Sequence, residues 1–139
     1  VSFRLVVGAP PVADYVRLRA ESGLSPKTEA QAAGALANSW RWCHAVAEDG
    51  AVVGMGRALG DEGWYFHIAD MATLPAYQGR GIGRAILEWL IAEIRANAPA
   101  DPYITLMADA PGRPLYRSLG FEETAPRSLG MWLPADGYR

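Results

Sequence analysis

Two hydrophobic periods alternate along this chain, and the switches between them mark its elements. Residues 3–7 (Phe-Arg-Leu-Val-Val) read as a strand closed by Gly8-Ala9-Pro10-Pro11. Val12, Tyr15, Val16 and Leu18 then recur at helical spacing, which predicts a helix over 12–22 with Gly23 as its stop. Ser25-Pro26 predicts a second helix, with Ser25 as N-cap, Pro26 in the first turn and acidic Glu29 shortly after, running to about residue 38. Residues 41–48 and 51–59 read as strands joined at a hairpin turn, Asp49-Gly50. Gly60-Asp61-Glu62-Gly63 turns the chain again into a long strand over 64–74.

The clearest period follows. Ile82, Ile86, Trp89-Leu90 and Ile94, widened by Leu87 and Ile91, make the apolar face of a helix over 82–97. Arg84, Glu88 and Arg95 face outward, and Ala98-Pro99 stops the helix. Residues 103–107 form a strand with little charge, 113–119 a short helix ended by Gly120, and 121–125 with 130–133 a last strand pair. The order β-α-α-β-β-β-α-β-α-β-β predicts an α/β (α+β layered) fold, a mixed central sheet flanked by helices. With 139 residues and no repeat, linker or low-complexity tract, the expectation is a single domain over 1–139.

Composition narrows the class. Half the residues are apolar, enough for a core, yet no run reaches the roughly 18 apolar residues of a membrane helix. The N-terminal residues show no secretory pattern, so the expected location is cytoplasmic, away from membranes. A net charge of −2 without a basic block argues against a nucleic-acid partner. An acidic ligand must then be met by a local site rather than by the global field. Cys43 is the single cysteine, which excludes an internal disulfide and a thiol-built metal site. Its strand context favours a buried inert thiol over a nucleophile. Adjacent His44 points to the opposite face and His67 lies far along the chain, so no metal is expected.

The chemistry concentrates in Met71-Ala72-Thr73-Leu74-Pro75-Ala76-Tyr77-Gln78-Gly79-Arg80-Gly81-Ile82-Gly83. A strand runs into a turn crowded with glycines, and a helix follows at once. Bare backbone at Gly79, Gly81 and Gly83 lets N–H groups approach a ligand closely. The helix beginning at Ile82 adds unpaired donors and a partial positive charge, and Arg80 and Arg84 add full charges at the rim. Such a turn suits phosphate or pyrophosphate. It is not a Walker loop, because Arg84-Ala85 follows Gly83 where Lys-Ser or Lys-Thr is needed. It is not a dinucleotide fingerprint either, because one residue separates Gly81 from Gly83 where two are needed.

Gln78-x-x-Gly81-x-Gly83 after Leu74-Pro75 resembles the acyl-CoA pyrophosphate loop of the GCN5-related N-acetyltransferases (GNAT). A second stretch, Asp109-x-x-Gly112-x-x-Leu115-Tyr116-x-x-x-Gly120-Phe121, resembles that family's closing motif. Asp109 stands where Asn is usual and Gly112 where Ala is usual, and the first change puts a carboxylate near the expected cofactor path. The resemblance covers about residues 3–133 and is strongest over 64–121. It implies the GNAT acyl-CoA N-acyltransferase fold and an enzyme that moves acetyl from acetyl-CoA to the primary amine of a small molecule. It also implies a homodimer as a possible assembly.

By that resemblance, Met71, Ala72 and Thr73 pair with the pantetheine arm like an added strand, and a backbone N–H near Met71 polarises the thioester. Gln78, Gly79, Arg80, Gly81, Ile82, Gly83 and Arg84 hold the pyrophosphate. Tyr116 protonates the leaving thiolate. The amine arrives largely protonated, its pKa being about 10.4, so a base is needed. Asp70 is the first side-chain candidate, with Glu21, Glu48 and water as further options; the other reading of Asp70 is an acidic residue hydrogen-bonded at a strand irregularity. His67 and Tyr65 fall on the strand face opposite Asp70. The aromatics Trp40, Trp42 and Trp64-Tyr65-Phe66 read as core, with an amine pocket as alternative. Arg17, Arg19 and Lys27 read as solvent-facing helix charge, with an acidic substrate as alternative. Two other functions stay open: an acyl-CoA-binding sensor without turnover, and a transferase of a different acyl group.

Overall fold

The computed structural model describes residues 2–138. By chain contacts they fall into two compact units, divided after Leu106.

The first unit carries a mixed sheet in which strands follow one another in chain order, β1-β2-β3-β4-β5. These are β1 (Phe3–Val7), β2 (Arg41–Ala47), β3 (Val52–Gly60), β4 (Tyr65–Thr73) and β5 (Tyr103–Leu106). Neighbours pair antiparallel up to β4, and β5 runs parallel to β4. A parallel return needs a crossover. It is made by a helix of 16 residues, α3 (Ile82–Asn97), once α1 (Val12–Glu21) and α2 (Glu29–Asn38) are counted before it. Helices α1 and α2 pack together on one face of the sheet, and α3 lies against β1 to β4 on the other.

Of the expected apolar stripe of α3, Ile82, Ile86, Leu87, Leu90 and Ile94 are buried, while Trp89 and Ile91 at its margins are half-buried. Each such aliphatic side chain stabilises the fold by roughly 2 kcal/mol on burial. The sheet surface that receives α3 carries Gly54 and Gly56 on β3. A Cβ at Gly54 would stand 2.6 Å from Ile82 Cγ2, and one at Gly56 would stand 2.8 Å from Ile86 Cγ2. The two glycines therefore let α3 sit closer to the sheet than any larger residue would permit.

Several expected boundaries hold. Gly23, at φ +89°, ends α1, and Leu24 N–H donates to Arg19 C=O at 2.9 Å. Gly50, at φ +88°, turns the β2–β3 hairpin. The second helix is a correction. It starts at Glu29 with Thr28 as N-cap, not at Ser25-Pro26. Thr28 and Gln31 form a reciprocal capping box, which satisfies two orphan backbone donors, whereas Ser25 Oγ accepts from Arg19 at 2.9 Å.

The aromatics divide. Trp42 and Phe66 are buried, Trp42 edge-on to Tyr15 and Phe66 edge-on to Trp40. Trp64 and Tyr65 are exposed and pack with Tyr103. Cys43 is fully buried, and burial pushes its thiol up to about 11, which makes it inert at neutral pH. Among the described residues no helix is long and apolar enough to cross a membrane, and no cluster of His, Cys, Asp and Glu could hold a metal ion.

The second unit, from Met107 onward, contains one short helix, α4 (Arg113–Ser118), ended by Gly120 at φ +96°. The expected strand pair over 121–125 and 130–133 does not form. Instead Ser128 N–H donates to Thr124 C=O at 3.0 Å, and Thr124 Oγ1 donates back to Ser128 C=O at 3.2 Å. This local turn takes the hydrogen bonds a ladder would need, and Pro126 inside it has no N–H to give. Residue type sets a propensity, but a strand exists only where a partner edge receives it.

Candidate active site

Three pieces of backbone converge at the C-terminal end of β4. The first is the open edge of that strand. Pairing with β5 ends at Ile68↔Leu106, while β4 continues to Thr73. Residues 69–73 thus keep β3 on one side and no strand of this unit on the other. Leu74 N–H donates to Val53 C=O on β3 at 2.9 Å, so alternation turns the polar groups of Thr73 toward the open edge. Gln78 Nε2 reaches back to the Thr73 carbonyl at 3.1 Å. The expected residues Met71, Ala72 and Thr73 are the ones on this edge.

The second piece is the turn into α3. After a single 3₁₀ turn, Pro75–Tyr77, Gly79 and Gly81 adopt φ of +75° and +85°. Only glycine enters that region without strain. A Cβ built on either would meet nothing within 4 Å, so the conformation and not a crowded neighbour requires glycine there. Gly81 is the N-cap of α3 and supplies no side-chain cap, and no acidic residue occupies the first turn. The contrast with α2, closed by its capping box, is direct. The first turn of α3 presents donors and the positive end of the helix dipole beside an exposed loop. Arg80 lies over the Tyr77 ring at 5.3 Å, which holds its cation beside the turn, and Arg84 is exposed on the first turn of α3. Gln78, Gly79, Arg80, Gly81, Ile82, Gly83 and Arg84 are therefore contiguous around one helix N-terminus, with Ile82 turned into the core.

The third piece is a kink in β4. Arg57 pairs with Ala69 and Met55 with Ala72, so Asp70 and Met71 together oppose Gly56. Asp70 has φ +53°, a left-handed conformation inside a strand. This is a β-bulge, a device that re-aims the residues it contains. The Asp70 side chain is 2 % exposed and saturated with donors. Tyr15 Oη donates to Oδ2 at 2.9 Å, Arg57 Nε donates to Oδ2 at 2.6 Å, and Arg19 Nη1 donates to Oδ1. Arg57 also donates to Ser39 Oγ, and Arg19 to the carbonyl and hydroxyl of Ser25. Burial, then the bond to Asp70, raises the Tyr15 phenol above its usual pKa, so it stays a donor. The faces are a correction: Arg57 pairs with Ala69 and Leu59 with His67, while Phe66 and Ile68 pair on the other face, so the bulge turns the Asp70 side chain to the face of Arg57 and His67 rather than opposite it.

Sequence reasoning missed Arg57 and Tyr15 and misread Arg19. Arg19 does not face solvent; it spans from α1 to β4. Arg17 likewise ties Asp14 to the Val52 carbonyl. The available signal was Arg57 itself, a lone cation inside the apolar run Val52–Gly60. A charge in a central strand asks for a buried partner, and Asp70 is the nearest acid that β4 brings across.

In the second unit, Tyr116 sits on α4 with its ring edge-on to Phe121, at a centroid distance of 6.1 Å. A Cβ at Gly112 would come within 2.7 Å of Tyr116 Cε2. The glycine that replaces the usual alanine of the motif thus makes room for the ring. Burial, then the negative charge of Asp109, holds the Tyr116 phenol above its ordinary pKa.

Residues 40–123 match a family profile described as Acetyltransferase (GNAT) domain. The chain belongs to the GNAT acetyltransferase family. A crystal structure of a protein of unknown function from meticillin-resistant Staphylococcus aureus, a probable acetyltransferase, is 34% identical, with a TM-score of 0.90 over 96% of this chain and 99% of that one. The histone acetyltransferase TAP1 of Glycine max is 38% identical over 88 residues, 63% of this chain and 37% of that protein. The serotonin N-acetyltransferase 2, chloroplastic, of Oryza sativa subsp. japonica is 33% identical over 92 residues, 66% of this chain and 45% of that protein. The chain thus spans less than half the length of these two curated relatives. Its fold is the GNAT fold, and the loop and closing motif both lie inside the matched region.

Proposed function

We propose that this GNAT chain is an acetyl-CoA-dependent N-acetyltransferase acting on the primary amine of a small molecule. One observation carries the reading. An uncapped helix N-terminus, entered through two left-handed glycines, stands at the end of a strand whose outer edge has no partner strand in its unit. The residues fit the ligand. A pyrophosphate needs convergent N–H donors and cations, which the 78–84 turn offers. An amide-rich arm needs an open strand edge, which residues 71–73 offer.

Bound acetyl-CoA would supply the acetyl group as a thioester, whose C–S bond breaks as the amine nitrogen bonds the carbonyl carbon. Gln78, Gly79, Arg80, Gly81, Ile82, Gly83 and Arg84 would hold the diphosphate end through backbone donors and guanidinium charge. Met71, Ala72 and Thr73 would align the arm, and the Met71 N–H would donate to the carbonyl oxygen, where negative charge develops. Tyr116 would give its proton to the departing sulfur; the closing motif and the raised phenol pKa, which keeps the proton in place, support that role. The lone pairs of Asp70 are engaged by Tyr15, Arg19 and Arg57, which favours water over Asp70 as acceptor of the ammonium proton.

The relative named for serotonin supports a small-amine acceptor, while the relative named for histone favours a second reading, a protein amine. Calorimetric titration with acetyl-CoA, with ATP and NAD as controls, tests the cofactor. Free-thiol release with tryptamine, spermidine and a lysine-containing histone-tail peptide tests the acceptor. Selective acetyl-CoA binding with turnover of an amine supports the first reading, and turnover of the peptide alone supports the second. A folded protein that does not bind acetyl-CoA overturns both.

A further inference from the structure

We propose that Arg19, Arg57 and Tyr15 are positioning residues that act through Asp70 to hold the β4 bulge and so aim the Met71 N–H at the acyl carbonyl. The proposal rests on the acetyl-CoA reading above and assigns roles to side chains outside the nucleotide loop and the closing motif.

The argument begins with the backbone. A non-glycine residue at φ +53° inside a strand is costly, on the order of 1–3 kcal/mol, and persists only where its surroundings over-determine it. Asp70 is over-determined. Its carboxylate takes donors from three directions: Tyr15 and Arg19 on α1, and Arg57 on β3. Each of these is itself anchored. Arg57 is held by Ser39 after α2 and lies 5.8 Å from the Trp42 ring centroid. Arg19 is held by Ser25, and Tyr15 by its edge contact with Trp42. The clamp therefore binds α1, the α1–α2 connection, the end of α2 and β3 to one residue of β4.

The next residue is Met71. Its sulfur lies over Gly56, where a Cβ would come within 2.5 Å of Sδ, so Met71 and Asp70 send their side chains to opposite faces across the bulge. With both side chains fixed, the peptide between them has one orientation. Its N–H is the Met71 donor. A donor aimed at developing charge works only when it is held in place beforehand, and small misplacements cost large factors in rate.

A second role for these cations, binding an acidic acceptor, does not fit the geometry. Their side chains are 12% and 18% exposed, and their donors are committed to Asp70, Ser25 and Ser39. Asp70 as a base is likewise a different idea, and the two separate cleanly by experiment.

The test compares acetyl-CoA with free CoA by calorimetry, because only the first carries the carbonyl that Met71 N–H would bond. It needs no acceptor amine. In Asp70→Asn and in Arg57→Gln, the preference for acetyl-CoA over CoA should shrink by about fivefold, the worth of one hydrogen bond. Affinity for CoA itself should stay within about twofold. The double variant should be no worse than the poorer single, since both act through one clamp. Tyr15→Phe, which removes one donor and keeps the ring, gives a milder shift in the same direction and serves if Asp70→Asn fails to fold. A preference unchanged in folded Arg57→Gln and Tyr15→Phe overturns the proposal. A change in Asp70→Asn that Arg57→Gln does not share overturns it as well, because Asp70 would then act alone. Failure of the native chain to bind CoA at all instead removes the acetyl-CoA reading beneath it.

Discussion

A Cβ placed on Gly54 would stand 2.6 Å from Cγ2 of Ile82, the first residue of α3. The seat of the glycine turn at the start of α3 is thus set by a missing side chain on the sheet beneath the helix. Gly54→Ala should destabilise the fold by about 1–3 kcal/mol through overpacking. It should also weaken acetyl-CoA binding, since the helix N-terminus must move away from the sheet. Urea unfolding and calorimetry measure the two effects. Unchanged stability would mean that Ile82 yields freely and that Gly54 does not position α3.

Gly81→Asp tests the turn directly. Asp tolerates the left-handed conformation better than most residues, so strain at φ +85° is modest and added negative charge dominates. Like charges brought together cost several kcal/mol, so acetyl-CoA affinity should fall by about 100-fold or more. Thermal unfolding should show a folded protein. Normal affinity would remove the 78–84 turn from the binding site.

Tyr116→Phe should lower kcat by about 100-fold with little change in acetyl-CoA affinity, as for loss of a general acid. Asp109→Asn gives the pH test. The Asp109 charge contributes to the raised Tyr116 pKa, after burial, and removing it lets the phenol ionise at lower pH. An acid that must be protonated loses activity as pH rises through its pKa. The alkaline limb of the kcat profile should therefore move to lower pH in Asp109→Asn. A limb that stays in place, or moves up, would detach Tyr116 from the protonation step.

Thr28→Ala should cost about 1 kcal/mol by opening the capping box of α2. Ser25→Ala removes a partner of Arg19 Nη2 instead, and that bond is exposed. Its effect on stability should be smaller, within about 0.5 kcal/mol. Chemical denaturation of both variants compares them. A larger loss for Ser25→Ala would return the helix start to residue 25.

The glycine turn into α3 was legible because glycines, helix onset and strand end lie within a dozen residues of one another in the chain. The stripe of α3 was legible for the same reason, since a period of 3.6 is a local property. Asp70 was legible as an acid at a strand irregularity, but its partners were not. Arg19 and Arg57 stand 51 and 13 residues away along the chain, and nothing local marks which acid they meet.

The strand pair expected near residues 121–133 fell short for a related reason. Sheet pairing is decided by a distant edge, and here a five-residue turn closed first. The same limit applies to Gly54 and Gly56, whose role shows only once α3 is laid over them. Sequence alone determined the element order as far as α4, the family motifs and the uncapped helix at Gly81, all set by backbone preference and short spacing. Only the tertiary structure decided the bulge at Asp70, the clamp that holds it and the close seat of α3. Each of those depends on atoms far apart in the chain meeting at hydrogen-bond or van der Waals distance, which no local pattern encodes.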